Sequence, residues 1–184
     1  MTESVDHVET NDQPMITLID GRSGSGKTSF AELIAHRLDA QIVHMDDLYL
    51  GWDGLQAGSD YAHEHVLVPL SEGNDARWQR WDWASGERAE WQRHPAGTPL
   101  ILEGCGSLSR ANHALAERSF WLEAPESVRH RRILLRDGDD SWWEGWKAQE
   151  TEFYDRERSA SLPGVRRAVD EESAPPEFGA FRTF

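Results

Sequence analysis

Apolar positions along the chain alternate between short continuous runs and stretches of helical periodicity. Met15-Ile-Thr-Leu-Ile-Asp20 is an apolar run that stops at a glycine, which predicts a buried strand. From Lys27 to Leu38 the apolar residues Phe30, Leu33, Ile34 and Leu38 recur at helical spacing. Gln41–Met45, Pro99–Leu102 and Ser119–Leu122 read as second, third and fourth strands, and helices are expected near Ala62–Leu70, Ser109–Glu117, Ser127–Asp137 and Trp142–Arg158. Strands alternating with helices imply an α/β fold, a central parallel sheet covered by helices on both faces. No repeat or second domain is evident. Residues 1–13 read as a flexible tail, 14–170 as one domain, and 171–184, with Pro175-Pro176, as an irregular tail.

Composition narrows the class. The chain has 184 residues, enough for a real core, and 38% hydrophobic content. Nineteen Lys and Arg against 33 Asp and Glu leave a net charge of −14, which argues against nucleic acid and anionic membranes as partners. The single cysteine, Cys105, fits a reducing compartment. With no apolar leader and no run long enough to span a bilayer, the expected location is the cytoplasm.

The first chemical signal is Gly21-Arg-Ser23-Gly24-Ser25-Gly26-Lys27-Thr28, which fits G-x-x-x-x-G-K-[ST] between a strand and a helix. Glycines let such a backbone curl until its N–H groups face phosphate oxygens, and the helix N-terminus adds partial positive charge. Lys27 is then expected on the β- and γ-phosphates of ATP, and Thr28 on Mg²⁺. No N-K-x-D motif is present, so a GTPase is not indicated. The third strand runs into Leu102-Glu103-Gly104 rather than ending in the Asp common in motor ATPases.

Two further groups join it. Asp46 and Asp47 follow the second strand, at the end of a parallel sheet where ligands bind. There Asp46 can accept a proton from an attacking hydroxyl or hold a magnesium-bound water, the alternative being a loop or capping pair. Glu103, at the end of the third strand beside the first, is placed to orient magnesium waters, or else is a solvated strand end. Arg129, Arg132 and Arg136 share one helix face, where three guanidiniums repel unless an anion such as a triphosphate faces them. A solvated basic face is the alternative.

Together these pieces resemble the uridine kinase-like branch of the P-loop kinases, which includes nicotinamide riboside kinase, over roughly residues 15 to 140. The resemblance implies a P-loop three-layer α/β/α sandwich with a small helical lid. It makes Asp46, the first Asp of Asp-Asp-Leu-Tyr49, the catalytic base. Glu103-Gly104 matches the family's Glu-Gly, and Arg129, Arg132, Arg136 and Asp137 match its lid pattern R-x-x-R-x-x-x-R-D. Trp81-Asp82-Trp83 is similar to a Tyr-Asp-Phe beside the bound nucleoside, although Gly86 stands where uridine kinases carry a pyrimidine-reading His. Asp53, in Gly51-Trp-Asp-Gly54, is the substitute for their ribose-holding acid, and that insert resembles actinobacterial ATP-binding proteins related to uridine kinase. The expectation is an ATP- and Mg²⁺-dependent kinase for a hydroxyl on a small molecule, nucleoside-like by first guess. Lys27, Asp46, Arg132 and Arg136 are assigned to catalysis, with Gly21, Ser23, Gly24, Ser25, Gly26, Lys27, Thr28 and Arg129 on the nucleotide. Thr28, Asp46 and Glu103 are assigned to the metal, and Asp47, Tyr49, Trp81 and Asp82 to the acceptor. A nucleotide-binding switch without an acceptor is the rival. His63 and His65 lack the spacing of a metal pair, Cys105 reads as a small buried residue, and most of the tryptophans as core.

Overall fold

The structure, a computed structural model, describes residues 15–169 and the backbone of 182 and 183. The tail assigned to residues 1–13 lies outside the described residues, as does most of that assigned to 171–184.

The four strands expected from apolar runs form the centre of the sheet: β1 (Ile16–Asp20), β2 (Gln41–His44), β5 (Leu100–Glu103) and β6 (Arg118–Glu123). Two elements complete it, β7 (Arg166–Val169) and the two-residue β8 (Arg182–Thr183). The order is β2-β5-β1-β6-β7-β8, parallel throughout except for the β7–β8 pair. Arg182–Thr183 thus add an edge strand within the segment expected to be irregular.

Side chains of each strand alternate between two cores. Ile16, Leu18, Leu100, Leu102 and Trp121 enter one; Ile19, Ile101, Phe120 and Leu122 enter the other. Helix α1 (Lys27–Leu38) closes the second core with Phe30 and Ala31, and Ile34 and Ala35 pack against it. Leu33, counted above with the apolar face, points to solvent. The first core is closed by α2 (Leu55–Ala62), which runs through a π-turn (His63–Leu67) into α3 (Val68–Ser71), and by α6 (Trp143–Glu157). This helical stretch starts earlier than the expected Ala62, whereas the expected helix at Ser109–Glu117 shrinks to α4 (Arg110–His113). Helix α5 (Glu126–Asp137) occupies the expected lid segment.

The antiparallel hairpin β3 (Ala76–Asp82) and β4 (Glu87–His94) is the element that apolar periodicity missed. A register shift between Gln79 and Trp81 interrupts its alternation, and most of β4 is exposed or half-buried. Gly86 sits in its turn at φ 69°, a left-handed conformation that favours glycine, with its N–H donated to the Asp82 carbonyl. The residue aligned with a pyrimidine-reading His is therefore a hairpin-turn glycine.

Candidate active site

Because β1 is central, the Gly21–Thr28 loop opens at the carboxyl edge of the sheet between the ends of β5 and β6. Lys27 begins α1 and is buried. Its Nζ donates to the Arg22 carbonyl at 3.2 Å and lies 3.4 Å from Cys105 Sγ. Burial opposes its charge, but Glu103, Asp20 and Glu150 outweigh that effect and raise its pKa. Thr28 Oγ1 donates to Glu103 Oε1 at 3.1 Å, and the same oxygen meets His44 Nδ1 at 2.6 Å. This hydrogen bond raises the His44 pKa.

Asp46 lies in a 3₁₀ turn (Met45–Asp47) directly after β2. It reaches solvent, yet the surrounding protein and the Glu103 carboxylate raise its pKa, against Lys27, Arg136 and His44, which lower it. Asp46 thus shares one electrostatic neighbourhood with Lys27, Glu103 and Arg136. Burial also raises the Asp47 pKa, opposed by His44 and by Arg80 of the hairpin.

Three of the expected roles need correction. Tyr49, assigned to the acceptor, is buried in the core. Its hydroxyl donates to the Cys105 carbonyl at 2.7 Å, and its ring meets Trp146 at 4.8 Å. Asp82 spends both oxygens on the hairpin turn, accepting from Ala84 N–H at 3.1 Å and Ser85 Oγ at 2.9 Å. Arg129 is buried, with both ends of its guanidinium engaged by the protein: it binds the Ser23 and Ala124 carbonyls at 3.0 and 3.2 Å and lies over Trp143. Arg132 likewise reaches the Gly24 carbonyl at 3.3 Å. Helix α5 packs so closely here that a Cβ on Gly24, whose φ is 79°, would stand 2.6 Å from the Arg129 carbonyl oxygen. Arg136 is within electrostatic reach of Asp46 and is held by a two-point contact with Asp137.

Several residues at this site escaped the sequence reading. Asp20, fully buried, accepts from the N–H groups of Gly21, Gly106 and Leu108 and from Tyr154 Oη at 2.6 Å. Burial still pushes its pKa up to about 6. A carboxylate ending an apolar run just before the glycine loop was its one available signal. Glu150 of α6, also buried, accepts the Ser23 N–H at 2.6 Å and pairs with Arg22 at 3.4 Å. Trp83 is hydrogen-bonded to the Asp46 turn, its Nε1 donating to the Asp46 carbonyl at 2.9 Å. Trp81 is half-buried beside Gly51.

Magnesium fits this donor set. Among the described residues no group of three or more His, Cys, Asp or Glu is arranged to hold a metal ion. Mg²⁺ usually takes only one or two protein oxygens together with water and phosphate. Thr28, Glu103 and Asp46 offer such hard oxygens, and the mutual repulsion of the two carboxylates is what a cation would relieve. A second cleft of about 370 Å³ flanks the loop, lined by Arg22, Trp121, Glu123, Pro125, Arg129 and Val169.

No family model matches the chain. A cytidylate kinase from Pseudomonas aeruginosa is 29% identical over 130 residues, 69% of this chain and 56% of that protein. This chain therefore spans little more than half the length of that relative. A cytidylate kinase from Pyrobaculum arsenaticum is 28% identical over 151 residues, covering 82% of this chain and 76% of the relative. Among solved structures, a possible uridine kinase from Bacillus stearothermophilus superposes with a TM-score of 0.60 at 16% identity, covering 83% of this chain and 88% of that one. A sugar kinase from Janibacter gives 0.53 at 14% identity, with 89% and 88% covered. These likenesses establish the α/β fold with a mostly parallel central sheet that such kinases share.

Proposed function

From this arrangement we propose that the chain is a kinase that transfers the γ-phosphoryl group of ATP to a hydroxyl of a small, nucleoside-like molecule. One observation carries the reading: Glu103 and Asp46, from two other segments, converge on Lys27 and Thr28 of a G-x-x-x-x-G-K-T loop at the carboxyl edge of a parallel sheet. The loop amides and Lys27 hold the phosphates, and the flanking cleft receives the base. Thr28, Glu103 and Asp46 would hold Mg²⁺, which when bound would offset the charge of the phosphates. Asp46 takes the proton from the acceptor hydroxyl as its oxygen bonds to the γ-phosphorus. The bond to the bridging oxygen breaks and ADP leaves with that electron pair. Arg136, within electrostatic reach of Asp46, stabilises the charge on the transferring group. The lone cysteine and acidic surface suit an enzyme of the cytoplasm.

The test is Asp46→Asn. It should retain Mg·ATP binding and lose acceptor-dependent ADP release by ~10²-fold or more, the scale of general-base catalysis. Equal turnover by the variant across a panel of nucleosides and sugars would remove Asp46 from the reaction. The seating of Glu150 on the Ser23 amide favours a second reading, a nucleotide-binding switch with no acceptor. Slow ADP release that no acceptor accelerates, in wild type and Asp46→Asn alike, would select it.

A further inference from the structure

His44 ends β2 beside Glu103, the last residue of β5. The two strands are parallel, and their register sets these residues opposite each other at the carboxyl edge of the sheet. Neighbouring strands lie about 4.8 Å apart, so the pairing alone brings the ring and the carboxylate within reach of one another. His44 Nδ1 meets Glu103 Oε1 at 2.6 Å, and Thr28 Oγ1 donates to the same oxygen at 3.1 Å. An ionised carboxylate only accepts, so Nδ1 carries the proton of this contact.

The arrangement divides the carboxylate between two tasks. Oε1 takes two donors from two elements, α1 and β2, whereas Oε2 takes none among the described residues and is not sealed from solvent. Thr28 spends its one proton on Glu103, which leaves its lone pairs free for a cation. A single hydrogen bond would let the carboxylate turn about its terminal torsion, whose preference is broad. The second donor, fixed on a neighbouring strand, removes that freedom and holds Oε2 in one place. Glu103 is 4% exposed, while the His44 side chain is 41% exposed and joins neither hydrophobic core. His44 therefore does not fill space. Ion pairs in which both partners are exposed add little, but here the acid is buried and is one of the groups offered to Mg²⁺.

We propose that His44 is a positioning residue for the metal: by fixing Glu103 together with Thr28, it sets how tightly Mg²⁺ is held with the nucleotide. The assignment rests on the kinase reading above. His44 acts through Glu103 and takes no part in the proton transfer at Asp46. Groups that orient a metal's ligands alter its affinity by roughly 10–100-fold. Mg²⁺ keeps several waters and few protein oxygens, so the lower end of that range, about tenfold, applies here.

The test is calorimetric titration of the full chain with β,γ-methylene-ATP, which cannot pass on its γ-phosphoryl group, in saturating Mg²⁺ and in EDTA. The ratio of the two affinities is the coupling between metal and nucleotide. In His44→Leu this ratio should fall about tenfold from its wild-type value, through the Mg²⁺ arm alone. His44→Asn, whose amide N–H stands close to the place of Nδ1, should restore most of it. In a Glu103→Gln background His44→Leu should change the ratio no further, because the two residues act as one unit. An unchanged ratio in His44→Leu, an equal loss in the EDTA arm, a loss that His44→Asn does not relieve, or a full further loss on top of Glu103→Gln would overturn the assignment. A wild type that binds the analogue in neither arm would overturn the kinase reading and the assignment with it. Binding that is retained with an unchanged ratio overturns the assignment alone.

Discussion

Replacing Glu150 by Gln tests how the phosphate loop is held before nucleotide arrives. The carboxylate takes the Ser23 amide at 2.6 Å and faces Arg22 at 3.4 Å, with Lys27 in the same field. Gln keeps an acceptor for the amide but removes the charge. A hydrogen bond to a charged group contributes about 1.5–3 kcal/mol and a neutral one about 0.5–1.5, so folding should lose roughly 1–2 kcal/mol. For a domain of this size that is a fall in Tm of about 2–8 °C. Nucleotide binding should change in the opposite direction. A negative charge beside incoming phosphates costs on the order of 2 kcal/mol at an effective dielectric near 20, and Glu150 is too buried for solvent to screen it much. Removing the charge should therefore tighten ATP binding by roughly fivefold to thirtyfold. Thermal unfolding and calorimetric titration with ATP measure the two effects. Glu152→Gln, on an exposed position of the same helix, is the control. Weaker ATP binding in Glu150→Gln would refute the reasoning, because Glu150 would then be holding the loop in its binding form rather than competing with the phosphates.

Two more predictions follow from the same region. With a folded pKa of about 6 against 3.8 unfolded, Asp20 binds its proton more tightly in the native state, so its contribution is present below pH 3.8, is lost as pH rises towards 6 and is absent above it. The difference, 6 − 3.8, amounts to about 3 kcal/mol; the stability gap between wild type and Asp20→Asn in urea unfolding should shrink by that order from pH 4 to pH 7, and a gap that widens would show that the four donors, not burial, dominate. Gly24→Ala forces a side chain into left-handed backbone against the Arg129 carbonyl, and should cost ~1–3 kcal/mol in thermal unfolding and weaken ATP binding; unchanged behaviour would mean that α5 does not rest on the loop as described.

The parts of this protein that local chemistry dictates were readable from sequence. The phosphate loop is one uninterrupted motif, and β1, β5 and β6 are apolar because both sheet faces are covered. The hairpin was not readable, since the shift at Gln79–Trp81 breaks its alternation and β4 is largely charged and exposed. Tyr49 was misassigned for a physical reason: Asp46 is exposed and Asp47 half-buried, but past their 3₁₀ turn the chain carries the Tyr49 ring into the core. Arg129 and Arg132 donate to the backbone carbonyls of Ser23 and Gly24 in the loop, contacts that their spacing alone did not announce. Glu150 lies 127 residues from the amide it accepts, and no local pattern announces such a contact.

Trp146, Glu150 and Tyr154 stand four residues apart on α6, so they form a single row along one helix. The first lines a cleft together with Trp52 and Trp142, the second takes the phosphate-loop amide, and the third is bonded to Asp20 at the root of that loop. A helix rises about 1.5 Å per residue, which sets these contacts ~6 Å apart along a rod that cannot stretch. The helix is in that sense a gauge: it fixes the span between the tryptophan-lined cleft and the loop that it braces, so a shift of either end is carried to the other.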